Sequence, residues 1–270
     1  MPLAVCATPI GNLEDVTLRV LAELRDADLV LAEDTRHTRG LLERHGIKAK
    51  LLSLHEHNEE ARVPEVLRRL EAGERVALVT DAGMPAISDP GARVVRAASA
   101  AGAAVTVLPG PSAVETALVA SGLAGGRYAF VGFLPRKRAE LDALWRETAE
   151  WQAVLVAFES PQRLPAALRS LSAFAPSRPA AVCRELTKRF EEVARGTAVE
   201  LAELFAEPPK GEITLVVAPS VAPAASDADR AAALAAVSEL VAAGAPRRVA
   251  ADVVGRLSRT SRNELYRGTL

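Results

Sequence analysis

Short apolar runs recur along the first half of the chain: LAVCA (3–7), DLVLAE (28–33), KLLSL (50–54), RVALVT (75–80) and AVTVLP (104–109). They read as buried strands. Helical patterns fall between them. Leu18, Leu21 and Leu24–Arg25 form one stripe, a second runs over 38–45 to Gly46, and a third over 59–72 to Gly73. Gly102 closes a fourth, and glycine just past a helix end is the expected stop. Strands alternating with helices predict a mostly parallel sheet covered on both faces.

At GLAGGR (122–127) the pattern breaks. The break predicts an N-terminal α/β domain over 1–124 and a second α/β domain over 125–222. The second series is YAFVGFLP (128–135), AVLVAFE (153–159), PAAVCRE (179–185), FEEVARG (190–196) and EITLVVA (212–218), with a helix expected over 140–150. A Pro/Ala/Ser linker then leads to a tail, 226–270, of two or three short helices.

Three turn-rich loops follow strands of the first series: TPIGN (8–12), TDAGMPAISDPG (80–91) and PGPSA (109–113). All three are expected on one rim, at the carboxyl ends of parallel strands, where ligands bind in open α/β sheets. In the middle loop Asp89 can N-cap the next helix with Pro90 in its first turn. Asp81, at the strand tip, can accept hydrogen bonds from a ribose or an ammonium group, or hold the turn itself. Ser112 and Glu115 have capping-box spacing, and a helix start also suits the polar edge of a ligand. No G-x-G-x-x-G follows the first strand, and neither a P-loop nor a G-x-S-x-G elbow occurs, which argues against dinucleotide enzymes, P-loop NTPases and α/β-hydrolases.

Composition narrows the picture little: 49% hydrophobic and 25% charged residues are ordinary for a globular protein. A net charge of −1 excludes a global basic field, so any RNA contact must come from local clusters. Only five of the 33 basic residues are lysine, so a single arginine is weak evidence of phosphate binding. Cys6 and Cys183 sit in separate apolar runs and read as buried thiols; no Cys/His spacing suits zinc, and no metal is expected. With no signal-peptide pattern and no membrane-length apolar run, a cytoplasmic protein is expected.

Six segments in order, ATPIGNLEDVTLRVL, LAEDTRHTRGLL, SLHEHNE, VTDAGMPAISDPG, PGPSAVETAL and FVGFLPRK, resemble the tetrapyrrole methylase superfamily, and within it the ribosomal small-subunit methyltransferase I family. The resemblance covers about residues 1–220. It implies two α/β domains with S-adenosylmethionine in the cleft between them. It also implies 2′-O-methylation of a cytidine in 16S rRNA, free or within the 30S subunit, by a homodimer. Carried over residue by residue, the donor pocket is expected at Ile10, Asp81, Met84, Ser112, Ala113, Phe158 and Leu186. Relatives with porphyrin-like substrates often carry G-x-G-P-G-D-P near the first loop. TPIGN stands there instead, against a small-molecule acceptor such as a tetrapyrrole. A non-catalytic RNA-binding factor is the other alternative, disfavoured by the intact motifs.

On the acceptor side the candidates are local. Glu33 and Asp34 could orient a ribose, and Arg36, His37 and Arg39 could meet phosphate; the bland reading is a loop end followed by a solvated helix face. His55, His57 and Asn58 could touch RNA or simply be solvated. Arg136, Lys137 and Arg138 could hold phosphates. With cations on both sides Lys137 is expected to be a proton acceptor, with Asp34 and His37 next in line. From Pro246 onward the tail carries six arginines, among them Arg247, Arg248, Arg259 and Arg262, against two acids. That excess suits the RNA backbone, with a packing appendage as the alternative.

Overall fold

The computed structural model describes residues 2–219, 227–258 and 260–269. Residues 1–218 form one compact unit and 219–270 another. The first unit carries two five-stranded sheets.

The first sheet holds β1 (Leu3–Cys6), β2 (Leu29–Ala32), β3 (Leu51–Ser53), β4 (Val76–Val79) and β5 (Val105–Leu108) in the order β3-β2-β4-β1-β5. Every pairing is parallel, as the alternating pattern predicted. The three central strands are wholly buried, while the edges β3 and β5 are only partly covered and Val107 is open to solvent. Helices α1 (Leu18–Asp26), α2 (Thr35–Arg44), α3 (Glu59–Glu71) and α4 (Ala92–Ala100) make the crossovers. The strands' apolar side chains divide between two cores: Leu3, Val5, Leu29 and Leu31 pack with α3 and α4, and Ala4, Cys6, Val30 and Ala32 with α1 and α2.

Helix α5 (Ala113–Ser121) belongs to the N-terminal half in sequence but packs on the second sheet. It ends at Gly122, which takes a left-handed φ of 73°. That sheet consists of β6 (Tyr128–Phe133), β7 (Val154–Glu159), β8 (Pro179–Arg184), β9 (Glu192–Thr197) and β10 (Ile213–Val217), ordered β6-β7-β10-β8-β9. Helices α6 (Arg138–Glu147), α7 (Leu164–Phe174) and α8 (Ala198–Leu204) cover its other face. Only β6 and β7 pair in parallel; β10 runs antiparallel between β7 and β8, and β9 returns antiparallel on β8. The second series is therefore mixed, because the β8–β9 connection is too short for a helical crossover. Ile10, Val114, Leu118, Val156, Cys183 and Leu186 share one core, which ties the first loop and α5 to the second sheet.

The described residues of the second unit form three helices: α9 (Asp227–Ala242), α10 (Arg247–Leu257) and α11 (Arg262–Gly268). Val237, Ala250, Ala251, Val254 and Leu265 form its small core. Ser261 caps α11, accepting from Glu264 N at 3.2 Å. Among the described residues no helix is long and apolar enough to cross a membrane.

Candidate active site

Because β4 and β1 are neighbours, the loops that follow them lie side by side. Thr8 N donates to Gly83 O at 2.8 Å, Gly83 N returns to Thr8 O at 3.1 Å, and the Thr8 hydroxyl donates to Thr80 O at 3.0 Å. Gly83 has φ of 81°, and a Cβ there would stand 3.6 Å from Ile10 and 3.8 Å from Pro111 O. The position thus brings all three predicted loops into contact, in a backbone conformation that glycine adopts without strain. Between these loops and the second sheet lies a cavity of about 390 Å³, within the range of small-molecule sites.

Six of the seven residues expected at a methyl donor line this cavity: Ile10, Met84, Ser112, Ala113, Phe158 and Leu186. Asp81 does not. Its Oδ1 accepts from Asp34 N at 3.1 Å, so it ties the β4 tip to the loop after β2, and burial pushes its carboxyl upward. Backbone strain gathers at both lips: Ala86 and Ser88 on one side, Glu185 and Thr187 on the other, all have φ between 52° and 69°. Each costs on the order of 1–3 kcal/mol, a pattern that clusters at ligand sites.

Asp89 is the first residue whose role the sequence misassigned. It does not cap α4, whose N-cap is Gly91 without a side-chain bond. The buried Glu59 does so from α3: its Oε1 accepts from Gly91 N at 3.1 Å, Arg93 N at 2.7 Å and Val94 N at 3.3 Å. Asp89 instead lines the cavity beside Thr80, whose hydroxyl donates to Glu33 Oε2 at 2.6 Å. Burial, followed by repulsion from Glu33 and Asp81, pushes the Asp89 carboxyl up to about 7.

Glu159, at the carboxyl end of β7, is a second lining acid that sequence reasoning passed over. Burial raises its carboxyl too, against hydrogen bonding from Ser160 N and the charge of Arg163 at 3.1 Å. A signal was available: like Asp81, it is a carboxylate ending an apolar strand. Cys183 also lines the cavity as a buried thiol, pushed up to about 11 by desolvation. Ser112 departs from a full capping box. Its hydroxyl donates to Glu115, which also receives Tyr128 OH at 2.6 Å, and it accepts nothing from α5. The first N–H groups of α5 thus keep no side-chain cap beside the cavity.

The acceptor-side candidates fall elsewhere. Asp34 N-caps α2 through Arg36 N at 2.8 Å and grips the Arg36 guanidinium at 2.7 and 3.1 Å, which holds its carboxyl well below the usual range. Its lone pairs are committed within its own turn. His37 is exposed on α2, and neither residue lines the cavity. Asn58 organises the turn before α3, accepting from His55 N at 2.8 Å and lying 3.1 Å from His55 Nε2, while His55 Nδ1 is buried without a partner.

Lys137 also lies outside the cavity. Its side chain is 80% exposed and its ammonium sits 3.1 Å from Glu140. Arg138 is drawn off to Asp142 at 2.7 Å and Glu140 stands beside Lys137, so the flanking cations that motivated the base role do not act on it alone. Arg136 lines an adjoining groove. In the tail, Arg248 and Arg262 are exposed and Arg247 is partly buried; Arg259 lies outside the described residues.

Apolar walls, two desolvated carboxylates and an uncapped helix start thus line one cavity. The family profile for tetrapyrrole (corrin/porphyrin) methylases matches residues 2–202. The chain is 46% identical over 216 residues to the ribosomal RNA small subunit methyltransferase I of Halalkalibacterium halodurans, covering 80% of this chain and 75% of that one. It is 42% identical over 274 residues to the protein of the same name from Mesorhizobium japonicum, covering 99% and 91%. Among solved structures, diphthine synthase aligns with a TM-score of 0.64 at 17% identity, covering 81% and 90%. Uroporphyrin-III C-methyl transferase from Thermus thermophilus, complexed with S-adenyl homocysteine, aligns with a TM-score of 0.56 at 21% identity, covering 80% and 97%. These two likenesses establish the shared fold.

Proposed function

The chain belongs to the tetrapyrrole (corrin/porphyrin) methylase family, and we propose that it moves the methyl group of S-adenosylmethionine onto the ribose 2′-hydroxyl of a cytidine in small-subunit ribosomal RNA. The observation that carries the reading is the convergence of Ile10, Met84, Ser112, Ala113, Phe158 and Leu186, from five separate segments, on one cavity. The relatives named above, which cover most of this chain, support the RNA acceptor.

When bound, S-adenosylmethionine supplies an electrophilic methyl carbon on a sulfonium leaving group. The protein's part is alignment and exclusion of water. Ile10, Met84, Phe158 and Leu186 enclose the apolar portion of the donor. The uncapped N–H groups of Ala113 and Val114 meet a polar edge. Asp89 and Glu159 would meet its positive charge, which would relieve the cost of ionising buried carboxyls. Asp81 supports the loop from behind through Asp34 N. Outside the cavity, Arg248 and Arg262 of the tail take RNA phosphates, and the chain works as a homodimer.

The test is methyl transfer from labelled S-adenosylmethionine to 30S subunits that lack the modification, with free 16S rRNA in parallel. Nuclease digestion and mass spectrometry should return labelled 2′-O-methylcytidine. Label on a base, or none in either RNA form, overturns the reading.

A further inference from the structure

A second cavity, of about 530 Å³, opens beside the first and shares Phe133, Glu159 and Ser160 with it. Its remaining wall comes from Leu134, Pro135 and Arg136 just past β6, from Leu141 on α6, from Arg163 at the N-cap of α7 and from Ala166–Ala167 on α7.

Three features of this groove are unexplained by packing. First, Phe133 is 58% exposed although it ends a strand. The register of β6 against β7 slips between Phe130 and Phe133, and Gly132 there takes φ of 71°. Such a bulge turns the following side chain away from its regular position. Phe133 keeps edge contact with Phe158, ring centroids 5.6 Å apart, and leaves the rest of its ring open.

Second, the basic run at the start of α6 is unequal. Lys137 and Arg138 are neutralised by Glu140 and Asp142, whereas Arg136 is exposed, lines the groove and has no acidic partner among the described residues. Third, the groove wall is braced. Arg163, itself paired with Glu159, donates to Leu134 O and, at 3.0 Å, to Pro135 O, which holds the segment bearing Phe133 and Arg136 against α7.

An open aromatic ring and an unpaired guanidinium on a braced wall match a single unstacked nucleotide: the base has a face to stack and the phosphate has a charge to meet. We propose that this groove receives the acceptor nucleotide, with its base on Phe133 and a flanking phosphate at Arg136. The inference rests on the RNA reading above. It explains how an acceptor taken out of its helix reaches the donor cavity, since Phe133 borders both spaces.

The test is steady-state methylation of unmodified 30S subunits, with donor affinity measured by calorimetry on the same proteins. Phe133→Leu keeps an apolar wall but removes the stacking face, and kcat/KM for the subunit should fall on the order of tenfold or more. Phe133→Trp should restore it to within about threefold of wild type. Arg136→Ala should raise the KM for subunits roughly five- to tenfold with kcat and donor affinity kept, and Arg136→Lys should recover part of the loss. Equal rates for the leucine and tryptophan variants, together with an unchanged KM in Arg136→Ala, overturn the groove assignment while leaving the RNA reading intact. Absence of transfer by the wild-type protein removes both.

Discussion

Asp89→Asn is the substitution that most directly reads the electrostatics of the cavity. Burial, Glu33 and Asp81 together move the Asp89 carboxyl from an ordinary 3.8 to about 7. Its folded-state value lies above its unfolded one, so the folded protein binds the proton more tightly. Stability is then full below about pH 4, declines as pH rises toward 7, and is flat above that. At 1.36 kcal/mol per pH unit, the displacement corresponds to about 4 kcal/mol. Solvent screening at this half-buried carboxylate reduces it to roughly 1–2 kcal/mol. Asparagine keeps the shape and cannot ionise. Its advantage over wild type should be absent near pH 4 and reach those 1–2 kcal/mol by pH 8, a Tm difference of about 2–8 °C for a unit of this size. Thermal melts of both proteins between pH 4 and 9, without ligand, measure it. The same Asp89 charge should favour a cationic donor. Wild-type affinity for S-adenosylmethionine should therefore improve as pH passes through 7, and the variant should lose that dependence. A Tm difference that does not vary with pH would refute the reasoning, because a buried carboxyl near neutrality cannot be silent over that range.

The remaining predictions test the scaffold and two earlier assignments. Glu59→Ala removes the acceptor for three backbone N–H groups at the start of α4 and should cost roughly 2–3 kcal/mol in urea denaturation; Glu59→Gln, which keeps an acceptor oxygen, should lose less. Removal of residues 219–270, a separate compact unit, should leave the Tm and donor affinity of the rest within error. The same truncation should weaken RNA binding and flatten its salt dependence; unaltered RNA affinity would show the tail arginines to be bystanders. Lys137→Arg should methylate RNA at a single-turnover rate within about threefold of wild type, because arginine preserves the ion pair with Glu140. A loss of about a hundredfold would identify lysine as the base.

Much of this protein is local information. The apolar runs at 3–7, 28–33, 50–54, 75–80 and 104–109 all hold strands, and the three central ones are wholly buried, because a short apolar run between turn residues is itself a strand signal. The parallel direction of the first sheet follows from the helices between them. The three rim loops were legible for the same reason: once strands run parallel, their carboxyl ends share an edge. The resemblance to relatives added the individual residues, and six of the seven it implied at the donor line one cavity. What the sequence could not settle is which side chain meets which across long separations. Asp89, in the sequence Asp-Pro-Gly, looks like a helix cap; the cap comes from Glu59, some thirty residues earlier, which leaves Asp89 free to face the cavity. Phe133 reads as one more strand residue until the slipped register at Gly132 turns it outward. In each case a charge or a ring has several partners within reach of its sequence, and only folding in three dimensions selects one, because hydrogen bonds and desolvation act through space rather than along the chain.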